Sequence, residues 1–263
     1  MRLLSFSLLL MVSLALLQSG CSRDVEGASE LQAQAEGAER PAGVEMAKPS
    51  IEKQAQAPAL PESLSSWSGY MATLTDADQA FLSKMAMKYQ GSLEYGSPVE
   101  RARLARLGYP MPEALIAENK LTDDQLLTKA RAGNLASKAV YAERIAQRIE
   151  VLELASGEKG LRSLALLDSA QQHELQNDAN MAFAISAEAL KLNPSPFTAY
   201  LYGRVSAVTA GSDIPTMSSI ALARDLGDER ATARLSTSDS DSQVSASAVL
   251  NNYESMRKLA GFK

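Results

Sequence analysis

The chain is poor in the residues that carry most protein chemistry. Its 263 residues include one cysteine, one histidine and one tryptophan, and aromatic residues make up 5%. One cysteine excludes a disulfide or a thiolate metal cluster within the chain. A single histidine, His173 in "SAQQHELQND", leaves histidine-based metal sites and catalytic triads short of partners and reads as a surface residue. Positive charge is outnumbered, with 26 Lys and Arg against 31 Asp and Glu. The net charge is −5, and the pI near 5.1 argues against a phosphate-backbone binder or a polybasic membrane patch. No GxSxG, HExxH, Walker or GxGxxG arrangement occurs. "SGEKG" at 156–160 lacks the spacing of a phosphate loop and reads as a turn between helices. The expectation is a chain with no cofactor, no metal and no nucleic-acid partner.

The N-terminus has a distinct layout. Arg2 precedes an apolar run from Leu3 to Leu17, and small residues Ser19 and Gly20 follow. That order of charged, apolar and small regions is a secretory signal peptide. A membrane-spanning helix needs about 20 predominantly apolar residues, more than this run provides. The stretch "LLQSGCSRD" then places the lone Cys21 at the cleavage region. With Ser19, Gly20 and Cys21 in place, and Gln18 where a leucine is usual, it resembles the lipobox of bacterial lipoproteins. The resemblance implies a leader over residues 1–20 and a mature chain starting at Cys21, acylated on its sulfur and amine. Two or more acyl chains satisfy the requirement for stable anchoring. Ser22 resembles the neutral residue of lipoproteins sent to the outer membrane, with the domain facing the periplasm. A free thiol after ordinary cleavage is the competing reading, but it leaves a cysteine without a partner.

Residues 21–66 form the next segment. They are dominated by Ala, Gln, Glu, Ser and Pro and hold no aromatic residue. Such composition offers too little apolar surface to offset the entropy of ordering, so a disordered tether is expected. A coil of that length spans about 35–40 Å.

Trp67 and Tyr70 mark the expected start of packing, and residues 67–263 read as all-α. Thr75 and Asn134 are N-cap residues, with Gly91 after the first helix and Gly133 before the second. Ser97 with Pro98 and Glu100, and Thr122 with Gln125, have the capping-box pattern; Ser195 precedes Pro196 at a further start. In the Asn134 helix, expected to run to about Leu154, Ala139, Ala142, Ala146 and Ile149 recur at spacings of three and four, a face that lets a neighbour approach closely. "ARAGNLASKAVYAER" and "ARDLGDERATARL" share a glycine, a capping residue and a later alanine, and "AVYAER" aligns with "AYLYGR". Over roughly 122–235 the chain resembles tetratricopeptide and Sel1-like repeat proteins, with "LNP" as a turn between helices. That implies antiparallel helix pairs stacked as a short solenoid; an irregular helical bundle is the alternative. The tail begins with a Ser/Asp loop from Ser236. Val249, Leu250, Tyr253, Met256 and Ala260 then share a helical face suited to capping the last repeat.

Function is less legible. Glu143, Glu150 and Glu188 could supply carboxylates of the glycosidase kind, yet acidic residues are common as solvated helix faces. Tyr200, Tyr202 and Arg204 are the candidate partner-binding residues, because Tyr and Arg are enriched at binding hot spots. The expected function is a non-enzymatic envelope lipoprotein, tied to lipid through acylated Cys21, whose helical domain binds a protein as an adaptor or assembly factor. An envelope enzyme or ligand binder acting on peptidoglycan is the alternative, and a passive spacer is a third.

Overall fold

Caps and glycines divide the chain into helices where the sequence places them. The computed structural model describes residues 65–238 and 245–262; among these residues helices joined by turns are the regular structure, with no strand. The elements are α1 (Trp67–Met71), α2 (Asp76–Lys88), α3 (Pro98–Arg106), α4 (Pro112–Asn119), α5 (Asp123–Arg131), α6 (Leu135–Ser156), a 3-10 helix (Gly160–Leu166), α7 (Ser169–Leu192), α8 (Pro196–Ala210), α9 (Ile214–Asp225), α10 (Arg230–Ser238) and α11 (Ala246–Leu259). All belong to the unit Gln56–Lys263. The leader, Cys21 and nearly all of the expected tether lie outside the described residues. No described helix is long and apolar enough to cross a membrane.

The capping residues act as their types dictate. Thr75 accepts the Asp78 N–H and Asn134 accepts the Ser137 N–H, each satisfying a donor the first helical turn leaves unpaired. Thr122 with Gln125 closes a full capping box, and Ser195 forms one with Thr198. At Ser97 the box closes differently from expectation. Ser97 accepts the Glu100 N–H, but the Glu100 carboxylate takes the N–H of Gly96, one residue earlier, at 2.7 Å. The other Glu100 oxygen lies 3.3 Å from Arg230, which places the carboxylate between the two donors. Gly133 and Gly227 end α5 and α9 at φ of +96° and +102°, backbone that a residue with a Cβ adopts only at a cost.

The long helix α6 is the hub. It packs against α4, α5, α7, α8 and the 3-10 helix. Ala139, Ala142, Ala146 and Ile149 are all buried, as their spacing predicts. So are Lys138, Tyr141 and Glu143, because neighbours cover the first half of this helix on every side. At two places, one between turns and one between helices, the backbone approaches so closely that only glycine fits. A Cβ on Gly160 would lie 2.6 Å from the Gly211 nitrogen, and a Cβ on Gly203 of α8 would lie 2.3 Å from the Ser219 Cβ of α9.

From α5 to α9, helices adjacent in sequence pack pair by pair. A solenoid repeat touches only its neighbours, however, and here distant segments meet. Arg230 donates to the carbonyls of Ser92 and Glu94, 138 and 136 residues away, and Arg103 pairs with Glu229. Tyr89, Tyr109 and Phe197 form a buried aromatic cluster, with the Tyr89 and Phe197 rings stacked at 5.2 Å. The chain therefore closes on itself as an irregular bundle with repeat-like stacking inside it.

The C-terminal helix α11 covers α9, with Met256 buried and Val249 and Tyr253 half-buried. Leu250 departs from the expected face and is 57% exposed. The Ser/Asp loop expected from Ser236 also begins later, since α10 continues through Ser238; residues 239–244 lie outside the described residues.

Candidate functional site

The three residues singled out from the sequence do not share one surface. Tyr200 and Arg204, one turn apart on α8, face a polar cavity of about 350 Å³ that Lys88, Tyr89 and Glu150 also line. Tyr202 points elsewhere and packs its ring against Phe183 of α7 at 5.4 Å. Tyr200 is buried, so only its edge reaches the cavity.

Charge in this cavity is internally compensated. Arg204 donates to both Glu143 oxygens, at 3.0 and 3.1 Å, and lies 2.8 Å from Glu150, which also holds Lys88 at 2.8 Å. Burial alone would depress the Arg204 pKa, but the two carboxylates raise it above the ordinary value. Burial raises Glu150, and the hydrogen bonds from Arg204 and Lys88 outweigh that and lower it. Such a carboxylate stays ionised and holds cations; it is a poor proton donor. Glu143 is not the solvated residue expected from the sequence but a buried one, and an ion pair is what allows a charge there. The Lys138–Glu188 pair makes a second tie, from α6 to α7.

A second polar centre has no counterpart in the sequence reading. Asp228, the capping residue of the stretch "ARDLGDERATARL", is 2% exposed. It accepts from Tyr109 at 3.0 Å, Tyr200 at 2.9 Å and Arg234 at 2.9 Å, and from the Arg230 backbone and guanidinium. Burial raises its pKa, and Arg230 and Arg234 reverse that, leaving it below the usual carboxylate value. This centre joins the α3–α4 turn to α8 and α10. It is a clasp rather than a reactive site, because every group in it already has a partner.

An open groove lies between α6 and α7. It has a volume of about 570 Å³ and is lined by Val151, Leu152, Leu167 and Leu175, with Arg144, Arg148, Glu174 and Asp178 along its edge. Val151 is 58% exposed and Leu154, one turn on, is 88% exposed. Arg148 bridges Asp123 and Asp178. Burial raises the Asp178 pKa, Arg148 and the Tyr141 hydroxyl oppose it, and Glu174 and Asp123 add to the rise. Arg144 and Arg148 balance Glu174 and Asp178 among the lining residues, so the apolar floor has a rim of mixed charge. The sequence signal was available: Val151 and Leu154 fall on the side of α6 opposite Ala142 and Ile149, where a helix in water carries polar residues. His173 is exposed on α7, as expected.

Comparison with known proteins adds no assignment: no family model, no curated protein and no solved structure matches this chain.

Proposed function

We propose that this chain is an envelope lipoprotein, anchored to the outer membrane through acylated Cys21, whose periplasmic helical domain binds a protein partner as an adaptor or assembly factor. The groove between α6 and α7 is the observation that supports partner binding. Exposed Val151 and Leu154 sit beside an apolar trough, and large apolar side chains left in water are the usual content of an interaction site. The apolar floor favours a partner segment that carries apolar side chains, and the mixed charges at its edge, Arg144, Arg148, Glu174 and Asp178, would fix that segment's register. The anchor rests on the apolar leader and the Ser19-Gly20-Cys21 sequence. Residues 21–66 would let the domain range clear of the lipid surface.

Two experiments separate the parts of this reading. Metabolic labelling with radioactive palmitate should mark the wild-type chain and leave Cys21→Ala unmarked; label on the variant would refute the anchor. Val151→Glu with Leu154→Glu should abolish partner capture from membranes while the helical spectrum stays unchanged. Capture that survives both charges would remove the groove from the reading.

A further inference from the structure

A cavity at the other end of α7 carries the opposite charge from the rest of the molecule. It has a volume of about 840 Å³ and lies among the C-terminal ends of α3, α5 and α7 and the start of α8. Arg106, Arg131 and Lys138 line it against a single carboxylate, Glu188, in a chain whose net charge is −5. Leu107 and Leu192 supply apolar wall, and Leu192 is 63% exposed.

Two of the three cations are not neutralised within the fold. Lys138 is 4% exposed and spends its charge on Glu188 at 2.9 Å. Arg106 and Arg131 are exposed, and among the described residues neither meets a carboxylate; Arg131 donates only to the Met181 sulfur, at 3.6 Å. Both sit in the last turn of a helix, where a cation suits the helix dipole. Yet α3 already has Arg103 there and α5 has Lys129, and both of those are engaged, with Glu229 and Glu118. Two further exposed guanidinium groups lining one cavity have the planar donor geometry that takes a carboxylate or phosphate through paired hydrogen bonds. The volume falls within the range of small-molecule sites.

We propose that this cavity binds a small amphiphilic oxyanion, a carboxylate or phosphate carrying an apolar body, with Arg106 and Arg131 on the anion and Leu107 and Leu192 against the body. The site is separate from the α6–α7 groove and does not depend on the adaptor reading. The test is calorimetric titration of the full chain with benzoate and with phenyl phosphate, and with neutral benzyl alcohol as control. Saturable binding of an anion is expected, at least tenfold weaker in Arg106→Gln/Arg131→Gln and in Leu192→Glu, with benzyl alcohol binding weakly or not at all. Leu192→Glu leaves both arginines in place and guards against a folding defect in the double variant. No saturable binding by the wild type, undiminished binding by both variants, or benzyl alcohol binding as tightly as benzoate would each overturn the proposal.

Discussion

Removing the Asp228 carboxylate should uncouple the two ends of the bundle. Asp228→Ala leaves the buried hydroxyls of Tyr109 and Tyr200 without their acceptor, and takes from Arg230 and Arg234 the carboxylate they share. Breaking a fully buried ion pair costs about 3–5 kcal/mol. Here the arginine side chains keep 28% and 16% of their exposure, so water recovers part of that, and Arg234 still bonds the Tyr200 hydroxyl. A loss of about 3 kcal/mol is therefore expected for Ala, and about 1–2 kcal/mol for Asn, which keeps one acceptor oxygen. With a urea dependence of about 2–3 kcal/mol per molar, the midpoint for Asp228→Ala falls by about 1 M in a circular-dichroism titration. Amide exchange should rise first in Ser92–Tyr109, whose contacts with 228–234 the clasp secures. The pH dependence has a fixed sign. A carboxylate held below its unfolded pKa stabilises the fold above about pH 4, and that contribution is lost as pH falls through the depressed folded value. Asp228→Ala should therefore narrow its stability gap to the wild type in acid. A midpoint shift below about 0.3 M, or a gap that does not change with pH, would refute the clasp.

Other positions give sharper packing tests. Phe197→Ala opens a cavity between Tyr89 and Tyr109 and should cost about 3–5 kcal/mol by urea denaturation. Gly203→Ala drives a methyl group into Ser219 and should cost about 1–3 kcal/mol; adding Ser219→Gly should recover part of it, since the Pro215 carbonyl at 2.8 Å remains in the way. Arg204→Met strands the buried Glu143, for a loss of about 3 kcal/mol, and Glu143→Gln in the same chain should lose less than the two single changes added together.

Local features of the fold were legible because they depend on a few adjacent residues. Thr75, Thr122, Asn134 and Ser195 cap helices through side chains and amides within three positions, so type and spacing suffice. The alanine face of α6 was legible for the same reason. What could not be read depends on residues far apart. Nothing near Glu143 announces Arg204, 61 residues on, and nothing near Asp228 announces Tyr109, 119 residues back. At Ser97 the Glu100 carboxylate reaches Gly96 rather than Ser97 and also meets Arg230, 130 residues away, and Leu250 stays exposed although its spacing suits the apolar face of α11. Bundle closure was offered only as an alternative to a solenoid, since a pattern of caps specifies helices but not which distant pair meets. The candidate binding trio was half legible: helical spacing joins Tyr200 to Arg204 and would have separated Tyr202.

The adaptor reading is tested most directly by photo-crosslinking in intact envelopes. A photoreactive phenylalanine analogue at Val151 or at Leu154, with Lys191 on the exposed side of α7 as the control position, would report what occupies the groove in the cell. One discrete adduct from Val151 and Leu154, absent from Lys191 and lost when Cys21→Ala is introduced, is the predicted result. No adduct at the groove positions, or the same adducts from all three, would contradict the account.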